Sequence, residues 1–315
     1  MAQPANTFDT YDAKGIREDL SDIIYNITPD DTPFYSACKK VKATNTLHEW
    51  QTDTLRSSAA NAHIEGDDTS ADAAVATVRL GNYTQIFKNA VTIADTEESV
   101  DKAGRKNEIA YQTLKIAREQ KLDIEKALFE NNAREAGNST TARELAGAGA
   151  WVKTNQSIGS GGAAPTGDGT DARTDGTQAA FTQAKFDTVM ESIWTNGGTP
   201  DKVYLSPFQM NIALGFTGGG NSRRNIDAAS ETVYNSVDVY VTPWGSVEFT
   251  PSRENRSRDV YIMQSDMWCV GVLRPTKNVG LAKTGDSTKR QVLTELTLVA
   301  KNEAANGIVA DLSTS

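Results

Sequence analysis

The chain is short of the residues that usually announce chemistry. It has two cysteines, two histidines and no long hydrophobic run. Cys38 and Cys269 stand far apart and match no zinc or redox spacing, so they are expected to be buried free thiols in a reducing compartment. His48 and His63 have no carboxylate or cysteine at a metal-ligand spacing, and neither metal nor cofactor is expected. No apolar stretch approaches the ~20 residues of a membrane span. Residues 1–11 lack the charged-then-apolar pattern of a signal peptide, so the chain reads as cytosolic in origin. A basic surplus is missing too: the net charge is −9, which leaves no overall field to recruit nucleic acid. The glycines between 159 and 169 are not followed by Gly-Lys-Ser/Thr, which excludes a phosphate loop.

What is present is a polar hairpin followed by a long helix. The first arm holds His48-Glu49-Trp50-Gln51-Thr52-Asp53. The tip, residues 57–73, is small and acidic, and Ile64 is its one large apolar residue. The second arm, residues 75–93, alternates so that Tyr83, Phe87, Val91 and Ile93 share a face. Such a tip has no core of its own, and an isolated two-stranded hairpin is marginal in water. It needs a neighbour to lie on, and a second copy of the chain is the natural one.

Asp95 and Glu98 fit a capping box for the helix. From Arg105 to Arg134 nothing interrupts it, which predicts a rod of ~45 Å. Ala110, Leu114, Ala117, Ile124 and Leu128 form its apolar stripe, broken by Lys121, so Leu114 is expected to face a sheet. Residues 137–176 then hold nine of the 24 glycines and a single aromatic, Trp151, and read as a loop or surface insertion.

A compact α/β portion follows. Phe186, Val189, Met190 and Ile193 mark a helix face that stops at Gly197-Gly198. Residues 202–205 form a strand, and Ser206-Pro207 opens another helix. Gly218-Gly219-Gly220 begins a loop with Arg223 and Arg224. Strands are expected at 237–242, 247–250, 260–263, 268–273, 292–299 and 308–312. Before the hairpin, residues 1–41 read as an arm, with a short helix at 15–25 and two prolines, Pro29 and Pro33, that bar a helix interior.

Candidate chemistry is thin. Ser36-Ala37-Cys38-Lys39 and Lys283-Thr284-Gly285 match two of the three motifs of a serine β-lactamase, but Ser265-Asp266-Met267 stands where the third requires an asparagine. Arg253-Glu254-Asn255-Arg256-Ser257-Arg258 is the densest basic patch; it is a solvated hairpin end, a subunit salt-bridge site or a phosphate contact. The acidic tip, with Glu65, Asp67, Asp68 and Asp72, is either solvated or docked on arginines next door.

The order of parts resembles the major capsid proteins of tailed bacteriophages, with the Hong Kong 97-type fold. Ile27-Thr28-Pro29-Asp30-Asp31-Thr32-Pro33-Phe34 followed by His48-Glu49-Trp50-Gln51-Thr52-Asp53, with Glu65-Gly66, is similar to a podophage-type major head protein family. The resemblance implies an α+β fold: an N-terminal arm at 1–45 and an E-loop hairpin at 46–94. A P-domain with a spine helix would span 95–200, an A-domain 201–285 and closing strands 286–315. It implies a non-enzymatic protein, assembled in the host cytoplasm, that self-assembles through hexamers and pentamers into an icosahedral shell around double-stranded DNA. Scaffold, portal and decoration proteins are the further partners it implies. Trp50, Arg56, Glu65, Asp67, Asp68, Arg79, Arg223, Arg224, Arg253 and Arg256 are the expected inter-subunit contacts. The name-giving member of the fold welds its subunits through an E-loop lysine. Residues 47–87 contain no lysine, so non-covalent joints are expected. A tail tube subunit or a serine hydrolase are the competing readings.

Overall fold

A computed structural model describes residues 31–66, 68, 71, 73–100, 107–216 and 239–314. The expected helix at 15–25 and the glycine loop from Gly218 lie outside these residues. In chain order the elements are α1 (Pro33–Ala37), β1 (Lys39–Lys42), β2 (Leu47–Thr52), β3 (Val78–Tyr83), β4 (Gln85–Ala94), α2 (Asp95–Ser99) and α3 (Glu108–Phe129). Then come β5 (Asn155–Ser157), α4 (Gln183–Thr195), β6 (Lys202–Leu205), α5 (Pro207–Ala213), β7 (Val239–Thr242), β8 (Gly245–Pro251), β9 (Val260–Met263), β10 (Trp268–Gly280), β11 (Ser287–Ala300) and β12 (Gly307–Val309).

Three sheets result. One has the order β1-β10-β11-β4, with α3 packed on β4 and β11. The second runs β5-β12-β9-β6-β8-β7, and the third is the hairpin pair β2-β3. The layers do not follow the linear segments. The four-stranded sheet draws β1 from the arm, β4 from the expected hairpin, β10 from the expected A-domain and β11 from the closing strands.

Local rules account for the α/β portion. Thr182 and Ser206 cap α4 and α5, and Pro207 takes the first position of α5, where its missing N–H costs nothing. Phe186, Val189, Met190 and Ile193 are the buried face of α4, as the spacing predicts.

The spine is shorter and turned differently from the expectation. α3 has 22 residues, or ~33 Å. It ends at Phe129 because the carbonyl there accepts from the Tyr261 hydroxyl (3.0 Å), and Asn131 and Asn132 turn to bind the next segment. Its inward residues are Gln120, Ile124, Glu125, Leu128 and Phe129, while Leu114 is 56% exposed and Ala110 is exposed. The inward polar residue has a reason: Gln120 bonds the Asn89 side chain, the Val292 carbonyl and the Thr294 hydroxyl. The capping box is also different. Asp95 binds Thr288 (2.8 Å) and Lys283 rather than capping α2, and Glu98 accepts from the Glu108 amide (3.1 Å), tying α2 to α3.

Glu125 joins the spine to the arm. It is fully buried and accepts from the amides of Phe34 (2.8 Å) and Tyr35 (2.7 Å), at the start of α1. Burial pushes its carboxyl up to about 7, against the two amide bonds that favour the charged form. Beside it Phe34, Phe129, Tyr204 and Trp268 pack with ring centroids 4.8–5.8 Å apart. Cys38 and Cys269 are buried free thiols, and burial pushes the Cys38 thiol up.

The glycine-rich segment corrects the sequence reading most. Residues 145–152 are core, and Trp151 is wholly buried among Leu128, Leu145 and Ile308 in one cluster. Glycine is there because backbone lies against backbone: a Cβ on Gly147 would overlap the Glu130 carbonyl, and one on Gly169 would come within 2.7 Å of the Trp151 ring. β5 emerges from the segment to pair with β12. Three buried or half-buried arginines clamp its far end. Arg173 binds Asp259 (2.9 Å) and Asp175 (3.0 Å), Arg256 binds both aspartates, and Arg258 binds Asp311 (2.7 Å).

Candidate functional site: an anchored hairpin with a bare tip

The hairpin is a short paired base carrying a long loop. β2 and β3 pair over six residues each, from Leu47↔Tyr83 to Thr52↔Val78, and residues 53–77 between them have no regular structure where described. The second arm divides after Tyr83. β3 stays with the hairpin, and β4 enters the four-stranded sheet, where Phe87 and Ile93 are buried on one face as the alternation predicts.

The base is fastened to the body by polar groups that only the fold brings together. Asn82, wholly buried, donates to the carbonyls of Leu298 (2.9 Å) and Ala146 (3.1 Å) and accepts from the Ala146 amide (2.9 Å). Arg134 donates to the Gly81 carbonyl. Thr84 donates to Glu295 (2.9 Å), which also binds Arg274 (2.6 Å) and Arg143. Trp50 stacks on Trp151 with ring centroids 5.4 Å apart, and partial burial holds the His48 imidazole below its ordinary pKa. A buried polar group with all its partners present resists movement, because breaking any one bond strands a group away from water. The base is therefore rigid with respect to the body.

The tip has the opposite character. Leu55 is 100% exposed, Ile64 83% and Val75 82%. Arg56, Glu65 and Asp68 are exposed as well. The loop thus carries three bare aliphatic side chains on a fixed mount.

The expected contact residues fall into three groups. Arg56, Glu65, Asp68 and Arg253 are exposed. Trp50, Arg79 and Arg256 have partners within the chain: Trp151 for the first, Glu49 for the second, Asp175 and Asp259 for the third. The Arg79 bond holds the Glu49 carboxyl below its usual range. Asp67, Arg223 and Arg224 lie outside the described residues. The basic run at 253–258 is thus neither a solvated end nor a phosphate contact over Arg256 and Arg258; both are consumed by buried or half-buried aspartates. Sequence reasoning did not find Asn82, Arg134 or Glu295, because nothing local distinguishes them from surface residues.

Comparison with known proteins agrees with this geometry. The sequence matches the SU10 major capsid protein family over residues 3–313. A relative, the major capsid protein of Escherichia phage Phieco32, is 27% identical over 98% of this chain and 97% of its own length. The fold is shared with the capsid of cyanophage A-1(L), at a TM-score of 0.69 and 12% identity over 98% and 99% of the two chains. It is also shared with a structure of phage G major capsid proteins and decoration proteins, at 0.56 and 11% over 99% and 100%. The fold is of the Hong Kong 97 type, with helices and sheets combined. This chain belongs to the SU10 major capsid protein family, and it builds the head shell of a tailed phage.

Proposed function

We propose that copies of this chain close into an icosahedral head around double-stranded DNA, with each hairpin tip lying over an adjacent subunit. The observation that carries this reading is the contrast within the hairpin: a base fixed by buried polar bonds and a tip with Leu55, Ile64 and Val75 bare. Apolar groups of that size are covered in a stable assembly, since interface cores resemble protein interiors. An acidic chain suits the lumen, because DNA that must slide during filling and ejection is not gripped.

The role is structural, with no reaction assigned to the chain. The tip residues Arg56, Glu65, Asp67 and Asp68, with Arg223, Arg224 and Arg253, are the proposed inter-subunit contacts. Scaffold and portal proteins are the proposed assembly partners, and a decoration protein of the kind named with the phage G shell is a further one. The joints are non-covalent: the hairpin offers no lysine amine between residues 47 and 87, and both cysteines are buried. Purified protein, alone or with its scaffold, should give capsomers or polyhedral particles by size exclusion and electron microscopy. Boiled with reductant and detergent, those particles should release a single 34.0 kDa band. A monomer at every concentration and salt would contradict the shell, and a ladder of covalent multimers would contradict the joints.

A further inference from the structure

The apolar stripe of α3 runs on past the surface that the sheet covers. Ile124 and Leu128 are buried, but Ala110 and Leu114 are exposed. Along these first turns the helix flanks a groove of about 550 Å³. Ala110, Leu114 and Ala117 line it from α3, and buried Val292 and half-buried Arg290 line it from β11. Arg290 has no ion-pair partner among the described residues. A stripe that leaves its sheet and enters a groove is matched by another apolar face.

Two segments outside the described residues lie close enough in sequence to supply one. Residues 101–106 are Asp-Lys-Ala-Gly-Arg-Lys, with no large apolar side chain and three cations to repel Arg290. Residues 1–30 hold the pattern that fits. Ile16, Leu20, Ile23 and Ile24 recur at the three-and-four step that also separates Ala110, Leu114 and Ala117. Glu18, Asp19 and Asp22 stand among them as acids to set against Arg290.

The lengths agree as well. Phe34 sits beside Glu125 of α3, and Ala117 is eight residues back along that helix, ~12 Å away. Eight residues of extended chain, from Tyr25 to Pro33, reach up to ~26 Å, so Tyr25 can stand level with Ala117. From there a helix over residues 15–25 runs ~16 Å, to the level of Asn107, where the groove begins. With the two helices parallel, Ile16 falls on Ala110, Leu20 on Leu114 and Ile24 on Ala117.

We infer that residues 15–25 of the same chain dock as a helix in this groove. A tether this short gives an effective concentration on the order of millimolar, so a weak contact is enough to hold the helix. Both hydrophobic cores of the body are built without these residues, so docking adds little to its melting temperature. Residues 1–14 are then the part of the arm that can reach a neighbour in the shell.

The test is disulfide trapping on the dilute, unassembled subunit, where no neighbour is present. Both native cysteines are buried and do not compete. Leu20→Cys with Leu114→Cys, oxidised by copper phenanthroline, should give an intrachain disulfide, seen as a faster band without reductant. Glu18→Cys with Leu114→Cys places one thiol on the far side of the arm helix and should link at least tenfold more slowly. In a Leu114→Cys chain, adding Ile16→Asp with Leu20→Asp should raise the rate of maleimide labelling at least threefold. Equal linking rates for the two pairs, links formed only between chains, or labelling that ignores the two aspartates would each overturn the inference.

Discussion

The hairpin tip, residues 53–77, and the glycine-rich segment, residues 137–176, share a composition of small and polar residues, and where described both are nearly devoid of regular structure. One is bare, and the other holds the most buried tryptophan of the hairpin mount. The difference lies in what each backbone touches. In the glycine-rich segment Asn82, Asn131 and Asn132 supply side-chain bonds to its peptide groups. Gly147 and Gly169 let it close against Glu130 and Trp151. Irregular chain can be core when its donors and acceptors are met. The tip has aliphatic side chains at Leu55, Ile64 and Val75, and among the described residues nothing covers them. Looseness and absence of helix or strand are separate properties, and the proposed partner of the tip is another copy.

Substitutions can sharpen this contrast. The largest effect is expected at Gly147→Ala. The added methyl would collide with backbone that cannot swing away, so the loss should reach ~4 kcal/mol or more, on the order of 10 °C in melting temperature. Gly161→Ala is the control in the same segment. It has φ of +80° but open space around it, and the strain alone should cost about 1 kcal/mol. Equal effects at the two positions, measured by calorimetry, would mean that close approach is not what demands glycine.

Next comes the arm root. Glu125→Ala strands the amides of Phe34 and Tyr35, which should cost roughly 2–4 kcal/mol. The carboxyl has a folded pKa of about 7 against an ordinary 4.5. Its favourable contribution is therefore present below about 4.5 and lost as the pH rises through about 7. Urea unfolding at pH 5 and pH 8 should show the wild type losing up to ~3 kcal/mol through this group, a slope the alanine variant lacks. An unchanged slope would contradict a buried carboxylate whose two amide bonds do not offset its burial.

The smallest effect is expected at Leu114. The apolar stripe alone predicts a buried leucine and a ruinous Leu114→Asp. With the side chain 56% exposed, the change should cost less than ~1 kcal/mol and leave soluble protein.

Legibility followed the range of the interactions. The α4 face, the Ser206-Pro207 start of α5 and the Phe87 and Ile93 face of β4 are set by neighbours in sequence, and they were readable. Gln120, Glu125 and Asn82 take buried positions because of partners on other strands and helices, which hydropathy spacing ranks as surface. The same blindness made the expected spine too long, since Tyr261 and the two asparagines that end it act across the fold. The exposed tip was legible as a stretch without a core. The mount that aims it was not, because Trp151 read as part of a loose insertion. The words shared with major head proteins brought in the shell itself.

The most direct measurement is made on a chain lacking residues 57–73. Its melting temperature and its particles are recorded beside the wild type under the same assembly conditions. The account predicts a subunit that melts within about 2 °C of wild type, with no closed shells by electron microscopy. Shells at wild-type yield, or a subunit that no longer folds, would contradict a tip whose only partner is another copy.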